Sequence, residues 1–423
     1  MITWTSLDQI LLPLTKRSPL QQGWSPQCES QPAEEGNWGV LKTTAIQKGR
    51  FVDSANKRLP EGLQARPELE VMPGDLLITC AGPRARCGVP ALVRQSRKRL
   101  MFSGKMYRFR AAPEVDPRFL EYYLLSSGAQ AEIDKMKTGI SESGLNLTKN
   151  RFLALPVPIA PLVEQRRIVE ILEGNLSRID AGEDLLRSTA RRGELLELAA
   201  LDALVPDGAP RVSLREIALS AGYGTSTKCV VDGPGTPVVR IPNLAHGAID
   251  LSDEKRAEDI NVDLSKLMLS ERDLLVVRTN GSKDLIGRTA VVQRGIRASF
   301  ASYLIRYQLN PERAEASWVH YMMRRPQARA EIERLAASSA GQHNLSLTKL
   351  DKIQIPLPSL SMQRELIATY ESRIEGPRRL VESAERSGRR ATRLRRAVLT
   401  AAFSGGLTGS TPDIDRVEEL AGV

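Results

Sequence analysis

Cysteine, histidine and long apolar runs are all scarce in this 423-residue chain, and each scarcity narrows what it can be. The four cysteines (Cys28, Cys80, Cys87, Cys229) never fall in a CxxC spacing, and the three histidines are scattered. A disulfide scaffold and a Cys/His zinc site are therefore not expected. No run of about 18 apolar residues occurs, so no membrane span is expected. Met1 to Leu14 places no lysine or arginine ahead of an apolar core, which argues against a secretory signal and for a reducing, cytoplasmic location. Catalytic motifs are missing too. Gly104-Lys105 lacks the first glycine of a phosphate loop and is followed by Met106. There is no GxGxxG, HExxH or GxSxG, and no Asn/Asp-Pro-Pro-Tyr/Phe loop of the kind that holds a flipped base. Pro206-Asp207 and Asp253-Glu-Lys255 only loosely resemble nuclease fragments, and Asp75 and Asp273 read as turn or strand-start residues rather than metal ligands. The chain is expected to carry no chemistry of its own.

What it does carry is unevenly distributed positive charge. Sixty Lys and Arg face 50 Asp and Glu, a net of +10. Residues 1–158 hold 22 basic and 15 acidic side chains, a net of +7, and residues 205–359 hold 21 and 17, a net of +4. Between them residues 159–204 are net −3, and after them residues 360–404 are net +5 and residues 405–423 net −3. Basic blocks of mixed composition suit a phosphate backbone.

The two long blocks read as α+β. Asp75-Leu-Leu-Ile-Thr79 and Asp273-Leu-Leu-Val-Val-Arg278 are expected strands, with Ala91–Val93 and Thr289–Val292 as their sheet neighbours. Helices are expected over Pro117–Lys135 and Glu315–Ala336. The short blocks read as long helices. Val169, Leu172, Leu176, Ile179 and Leu186 form one apolar stripe, and Ile367, Tyr370, Ile374, Leu380, Ala384, Ala391, Leu394 and Val398 another. Gly182, Gly193, Gly376-Pro377 and Gly388 predict kinks or breaks. A long helix with a narrow apolar stripe needs a partner, and here there are two.

These features recur at an offset of 198 residues. Lys42 falls on Arg240, Gly49 on Gly247, Asp75-Leu-Leu77 on Asp273-Leu-Leu275, Phe102 on Phe300, Asn146-Leu147 on Asn344-Leu345 and Gln165-Arg166 on Gln363-Arg364. A one-residue slip aligns Gly88 with Gly287 and Tyr122 with Tyr321. The chain thus reads as one unit used twice, with pseudo-two-fold symmetry. The expected fold class is α+β, with two pseudo-symmetric globular domains separated by two long helices pairing as an antiparallel coiled-coil-like spacer. Such a molecule suits a bipartite DNA site. The alternative is a duplicated helical scaffold or adaptor without sequence-specific DNA reading.

The passage Asn146–Val169 resembles the exit from a target-recognition domain into the central conserved helix of type I restriction-modification specificity subunits, and Asn344–Gln363 is its second copy. Pro237–Leu244, Asp273–Arg278, Gly287–Val292 and the glycine- and hydroxyl-rich Ala221–Ser226 are also similar to that family. Met362 stands where the family pattern expects the Glu that Glu164 supplies in the first copy. The resemblance implies target-recognition domains over 1–158 and 205–358, helical spacers over 159–204 and 359–405, and a flexible acidic tail over 406–423. It implies a non-catalytic subunit that recognises a bipartite target in double-stranded DNA. Two adenine-methyltransferase (M) subunits and ATP-dependent translocase-nuclease restriction (R) subunits would be its partners. S-adenosylmethionine, ATP and Mg would lie on those partners, with no cofactor or metal in this chain.

Base reading needs paired donors and acceptors on rigid loops at strand ends. The DNA-contacting candidates in the second half are Tyr223, Thr225, Ser226, Arg240, Asn243, Arg278, Asn280, Ser282, Lys283, Gln342, His343 and Asn344. In the first half they are Lys42, Thr43, Gln47, Arg84, Arg86 and Lys105. The arginine-rich stretch Arg378–Arg396 reads as a solvated helix face in preference to a backbone contact.

Overall fold

The structure is a computed structural model that describes residues 3–15, 18–139, 141–336 and 343–403. The chain divides into two compact units, residues 1–186 with 386–423, and residues 187–385.

In the first unit the principal strands are β1 (Thr3–Ser6), β2 (Gln21–Gln22), β3 (Leu76–Thr79), β4 (Ala81–Gly82), β5 (Pro90–Leu92) and β6 (Met106–Phe109). Helices α1 (Pro117–Leu125) and α2 (Ser127–Met136) follow, then β7 (Leu145–Leu147) and β8 (Pro156–Ile159). The central sheet has the order β2-β6-β3-β5 and is antiparallel throughout. Every residue of β3 is buried, because the sheet packs on both faces; that is why this strand reads as a continuous apolar run rather than an alternating one. Asp75 closes the turn before it by accepting from the Met72 N–H at 2.8 Å. The terminal strand β1 pairs with β8, Thr3 opposite Ile159, which ties the start of the unit to its exit. Helix α3 (Leu162–Asp202) begins three residues after β8, and its portion up to residue 186 belongs to this unit.

The second unit repeats this plan. Its strands are β9 (Arg211–Ser213), β10 (Ala218–Tyr223), β11 (Leu274–Val277), β12 (Thr279–Asn280), β13 (Thr289–Val291) and β14 (Leu304–Leu309). Helices α4 (Ala316–Arg324) and α5 (Pro326–Ala336), strands β15 (His343–Asn344) and β16 (Gln354–Pro356), and helix α6 (Leu360–Phe403) complete the order. The sheet order is β10-β14-β11-β13, and β9 pairs with β16 as β1 does with β8. Each sheet carries the same arginine packed over a phenylalanine. Arg108 lies 4.9 Å over Phe102 and donates to the carbonyls of Glu70 and Glu68; Arg306 lies 5.4 Å over Phe300 and donates to those of Met268 and Lys266.

A repeated glutamine docks each long helix onto its own domain. Gln165 accepts from the Asp116 N–H at 2.9 Å and donates to the carbonyls of Glu114 and Ala160. Gln363 accepts from the Glu315 N–H at 2.9 Å and donates to those of Arg313 and Pro358. Both side chains are fully buried and use both ends of the amide, so neither leaves a polar atom stranded.

Three expectations need correction. Each predicted single helix over 117–135 and 315–336 is two, broken at Ser126 and Arg325. Ser126 turns extended and caps the next helix by accepting from Ala129 N–H, while Arg325 precedes Pro326, which disfavours helical backbone. Conversely, α3 and α6 run unbroken through all their glycines and through Pro377. A helical glycine costs only about 1 kcal/mol, and packing outweighs it. At Gly193 the glycine is needed, because a Cβ would stand 2.4 Å from Val381 Cγ2. Finally, Leu380 is exposed; Val381 takes the interhelical position.

In the second unit, Gly193 faces Val381, and Glu197, one turn later, accepts from Tyr370 and Arg378. Rising along α3 thus means descending along α6, so the pair is antiparallel. In the first unit Ile168, Val169, Leu172, Leu176 and Ile179 pack with Val398, Leu399, Ala401 and Ala402, and Arg395 pairs with Asp180.

Candidate nucleic-acid recognition site

The polar candidates of the second unit gather where β11 leaves the sheet. Arg278 follows the last residue of β11, and its backbone is fixed on both sides: its N–H donates to Tyr303 O at 2.9 Å, and its carbonyl accepts from Leu345 N–H at 2.8 Å. The guanidinium lies 4.5 Å over the Tyr223 ring. Its Nη2 donates to Asn344 Oδ1 at 3.3 Å and its Nη1 to Ser302 O at 3.4 Å, both long bonds, while Nε is buried without a partner. β12 and β15 pair Thr279 with Asn344 and Asn280 with His343. Tyr223 is held by its hydroxyl, which accepts from Leu347 N–H at 3.1 Å, and Thr225 O accepts from Ser302 N–H at 2.7 Å. Tyr223, Thr225, Arg278, Asn280, His343 and Asn344 are therefore brought together. Ser226 is exposed beside Thr225, and Ser282 and Lys283 are exposed in the turn after β12, where Asn280 Oδ1 accepts from Ser282 N–H.

Arg240 and Asn243 hold a turn of their own. Arg240 is paired with Asp253 at 2.8 Å. Asn243 is buried, and its amide is spent on Arg240 N–H and on the carbonyls of Asp250 and Asp253. Gln342 lies outside the described residues.

The first unit has the same frame with other side chains. Cys80 takes Arg278's place: its N–H donates to Lys105 O, and its carbonyl accepts from Leu147 N–H, both at 2.8 Å. Its thiol is buried, and burial with the neighbouring Cys87 pushes its pKa up to about 12, far from a reactive thiolate. Arg84 lies on the exposed loop after β4, held by Glu142 at 2.7 Å and Asp134 at 2.6 Å. The Arg84 hydrogen bond holds the Glu142 carboxyl below its usual range. Arg86, Lys105 and Gln47 are exposed, while Lys42 and Thr43 are half-buried at a short helical turn. Sequence reasoning chose Lys105 but missed its counterpart Tyr303, a 57% exposed aromatic next to Ser302; the 198-residue offset would have found it.

Among the described residues no three His, Cys, Asp or Glu side chains converge to hold a metal, and no helix is long and apolar enough to cross a membrane.

Residues 36–183 match the sequence model of the type I restriction modification DNA specificity domain. Over those residues, which lie in the first unit, the chain is similar to the type I restriction-modification specificity family. It is 33% identical over 204 residues to the type I restriction enzyme EcoEI specificity subunit of Escherichia coli, a match covering 48% of this chain and 32% of that one. It thus spans about a third of that relative's length. It is 22% identical over 389 residues to the StySPI specificity subunit of Salmonella potsdam, covering 87% and 82% of the two chains. A chain solved in work on complex assembly and conformational transition of the type I R-M system shares the fold, with a TM-score of 0.61 at 19% identity, covering 96% of this chain and 98% of that one.

Proposed function

We propose that this chain is the DNA sequence-specificity subunit of a type I restriction-modification complex. Each α+β domain reads one half of a bipartite target, and the chain positions adenine-methyltransferase and translocase-nuclease subunits. The observation that carries this reading is the family's DNA-specificity domain over residues 36–183 together with the same fold repeated 198 residues on. One domain of this kind reads one short sequence; two within a chain read two.

In this reading the recognition domains are 1–158 and 205–358, and 159–204 and 359–405 are the helical spacers. The candidates without a carboxylate partner, above all the half-buried Arg278 with the exposed Asn344 and Lys283 in the second unit and the exposed Arg86 and Lys105 in the first, contact bases or phosphates. Phosphate contacts set register and orientation, and base contacts set sequence. The subunit is non-catalytic and works in the cytoplasm with two M subunits, which use S-adenosylmethionine, and R subunits, which use ATP and Mg.

The test is methylome sequencing of cells with and without the gene. A bipartite adenine-methylated motif should vanish on deletion and return with the wild-type chain. Persistence of every such motif after deletion would overturn the reading.

A further inference from the structure

We propose that the cluster around Arg278 reads a guanine through the major-groove edge of a G·C pair. The inference rests on the DNA-reading role proposed above and adds the base. Arg278 has no carboxylate partner among the described residues, whereas Arg240 is paired with Asp253, and Arg84 with Asp134 and Glu142. Its Nε is buried, so the end-on edge formed by Nη1 and Nη2 is the one that can meet a ligand. The Tyr223 ring at 4.5 Å sets the guanidinium plane, and the two long bonds at 3.3 and 3.4 Å set its rotation within that plane.

Asn344 fixes the polarity of the surface beside it. Its Oδ1 accepts from Arg278 and, at 3.2 Å, from Thr279 Oγ1, which leaves the exposed amide NH2 facing outward. The cluster therefore presents donors. On the major-groove edge only guanine offers two adjacent acceptors, O6 and N7; adenine offers one acceptor and one donor, cytosine a donor, and thymine one acceptor beside a methyl. A pair of parallel N–H donors is satisfied by guanine and leaves an unmet donor against each of the others. The first unit cannot use this device, because its equivalent position is the buried Cys80.

The experiment uses the full chain in its methyltransferase complex and DNA carrying its own methylated motif. Each guanine of the motif is replaced in turn by 7-deazaguanine, which lacks the N7 acceptor. Wild-type binding should weaken about 10- to 100-fold at one guanine, in one half only. Arg278→Ala, which removes both donors, should lose at least that factor on natural DNA and nothing further on the modified site. Its methylome should be degenerate at that single G·C position. Tyr223→Phe, which keeps the ring, should retain the preference, and Tyr223→Ala should relax the same position. Degeneracy at an A·T position, or wild-type tolerance of 7-deazaguanine at every guanine, overturns the guanine assignment, and the second outcome needs no variant to fold. Absence of any bipartite motif that depends on the wild-type chain defeats instead the broader reading.

Discussion

Cys80 in the first unit and Arg278 in the second make the same two backbone hydrogen bonds, to the turn before the last sheet strand and to the strand after the helices. One side chain is a buried thiol, the other a half-buried guanidinium. Lys105 and Tyr303 also differ, one an ammonium and the other a phenol ring, both exposed. A third pair lies inside: at a one-residue slip, α1 presents Glu121 where α4 presents His320. Other pairs do not vary. Gln165 and Gln363, Arg108 and Arg306, and Gly88 and Gly287 keep their partners in both units. The glutamines and arginines are held constant because the backbone groups they bind define the frame. Pairs that do not hold the frame differ, inside the domain as well as on its surface.

The constancy can be broken most severely at the paired glycines. Gly88 has φ +83° and Gly287 φ +70°, and a Cβ at either would stand 2.5 Å from the Cγ2 of an isoleucine, Ile133 or Ile332. Left-handed strain and overpacking add, so Gly88→Ala and Gly287→Ala should each cost about 2–4 kcal/mol in denaturant unfolding. Equal losses would support one frame used twice. The glutamines come next. Gln165→Ala and Gln363→Ala each strand one N–H and two carbonyls where a long helix joins its domain, for about 1–3 kcal/mol.

Glu121 and His320 turn the comparison into a difference of sign. Glu121 is fully buried and accepts from Leu92 N–H at 2.6 Å and from Arg94 at 2.7 Å. Burial raises its pKa, against the opposing pull of Arg94. A carboxyl raised on folding favours the folded state at low pH, and that contribution is lost as pH rises through its folded pKa. His320 is buried against Thr289, its Nδ1 2.7 Å from the hydroxyl, and burial with the charges of Arg324 and Arg378 lowers its pKa from 6.5 to about 3. Below pH 6.5 the unfolded chain binds a proton that the folded one refuses. Each unit of pH between there and about 3 should thus cost the second unit about 1.4 kcal/mol. Trp318, the second unit's only tryptophan, can report its unfolding, and His320→Gln should flatten the slope.

Much of the frame was legible in the sequence because repeated chemistry leaves repeated letters. Asp75-Leu-Leu77 and Asp273-Leu-Leu275 gave the central strands, and the recurring Gln-Arg marked the docking of each long helix. The helix interruptions were misread in both directions. Composition favours helix through Ser126, whereas the capping bond to Ala129 stops it; glycine disfavours helix at Gly193, where interhelical contact demands it. The site was less legible. An arginine in the sequence does not say whether it will meet a carboxylate, as Arg240 does, or an aromatic ring, as Arg278 does. Nor does Asn243 announce that its amide is spent inside a turn, since its partners at Asp250 and Asp253 are carbonyls any residue could supply.

Arg84 offers the mildest test of the comparison. Like Arg278 it stands in a loop between strands, but it is neutralised by Glu142 and Asp134, all three groups at the surface. Exposed ion pairs add little to stability, so Arg84→Ala should leave the unfolding midpoint where surface substitutions usually leave it. Its effect on recognition should differ in kind from that of Arg278→Ala. A guanidinium already saturated by two carboxylates must surrender one of them before it can donate to a base, and that exchange gives back most of what the new contact gains. Methylation at the half read by the first unit should therefore weaken only slightly, and no single position should become degenerate. Degeneracy at one base pair with Arg84→Ala would mean that the pair opens on DNA, and the two units would then share one mode of reading.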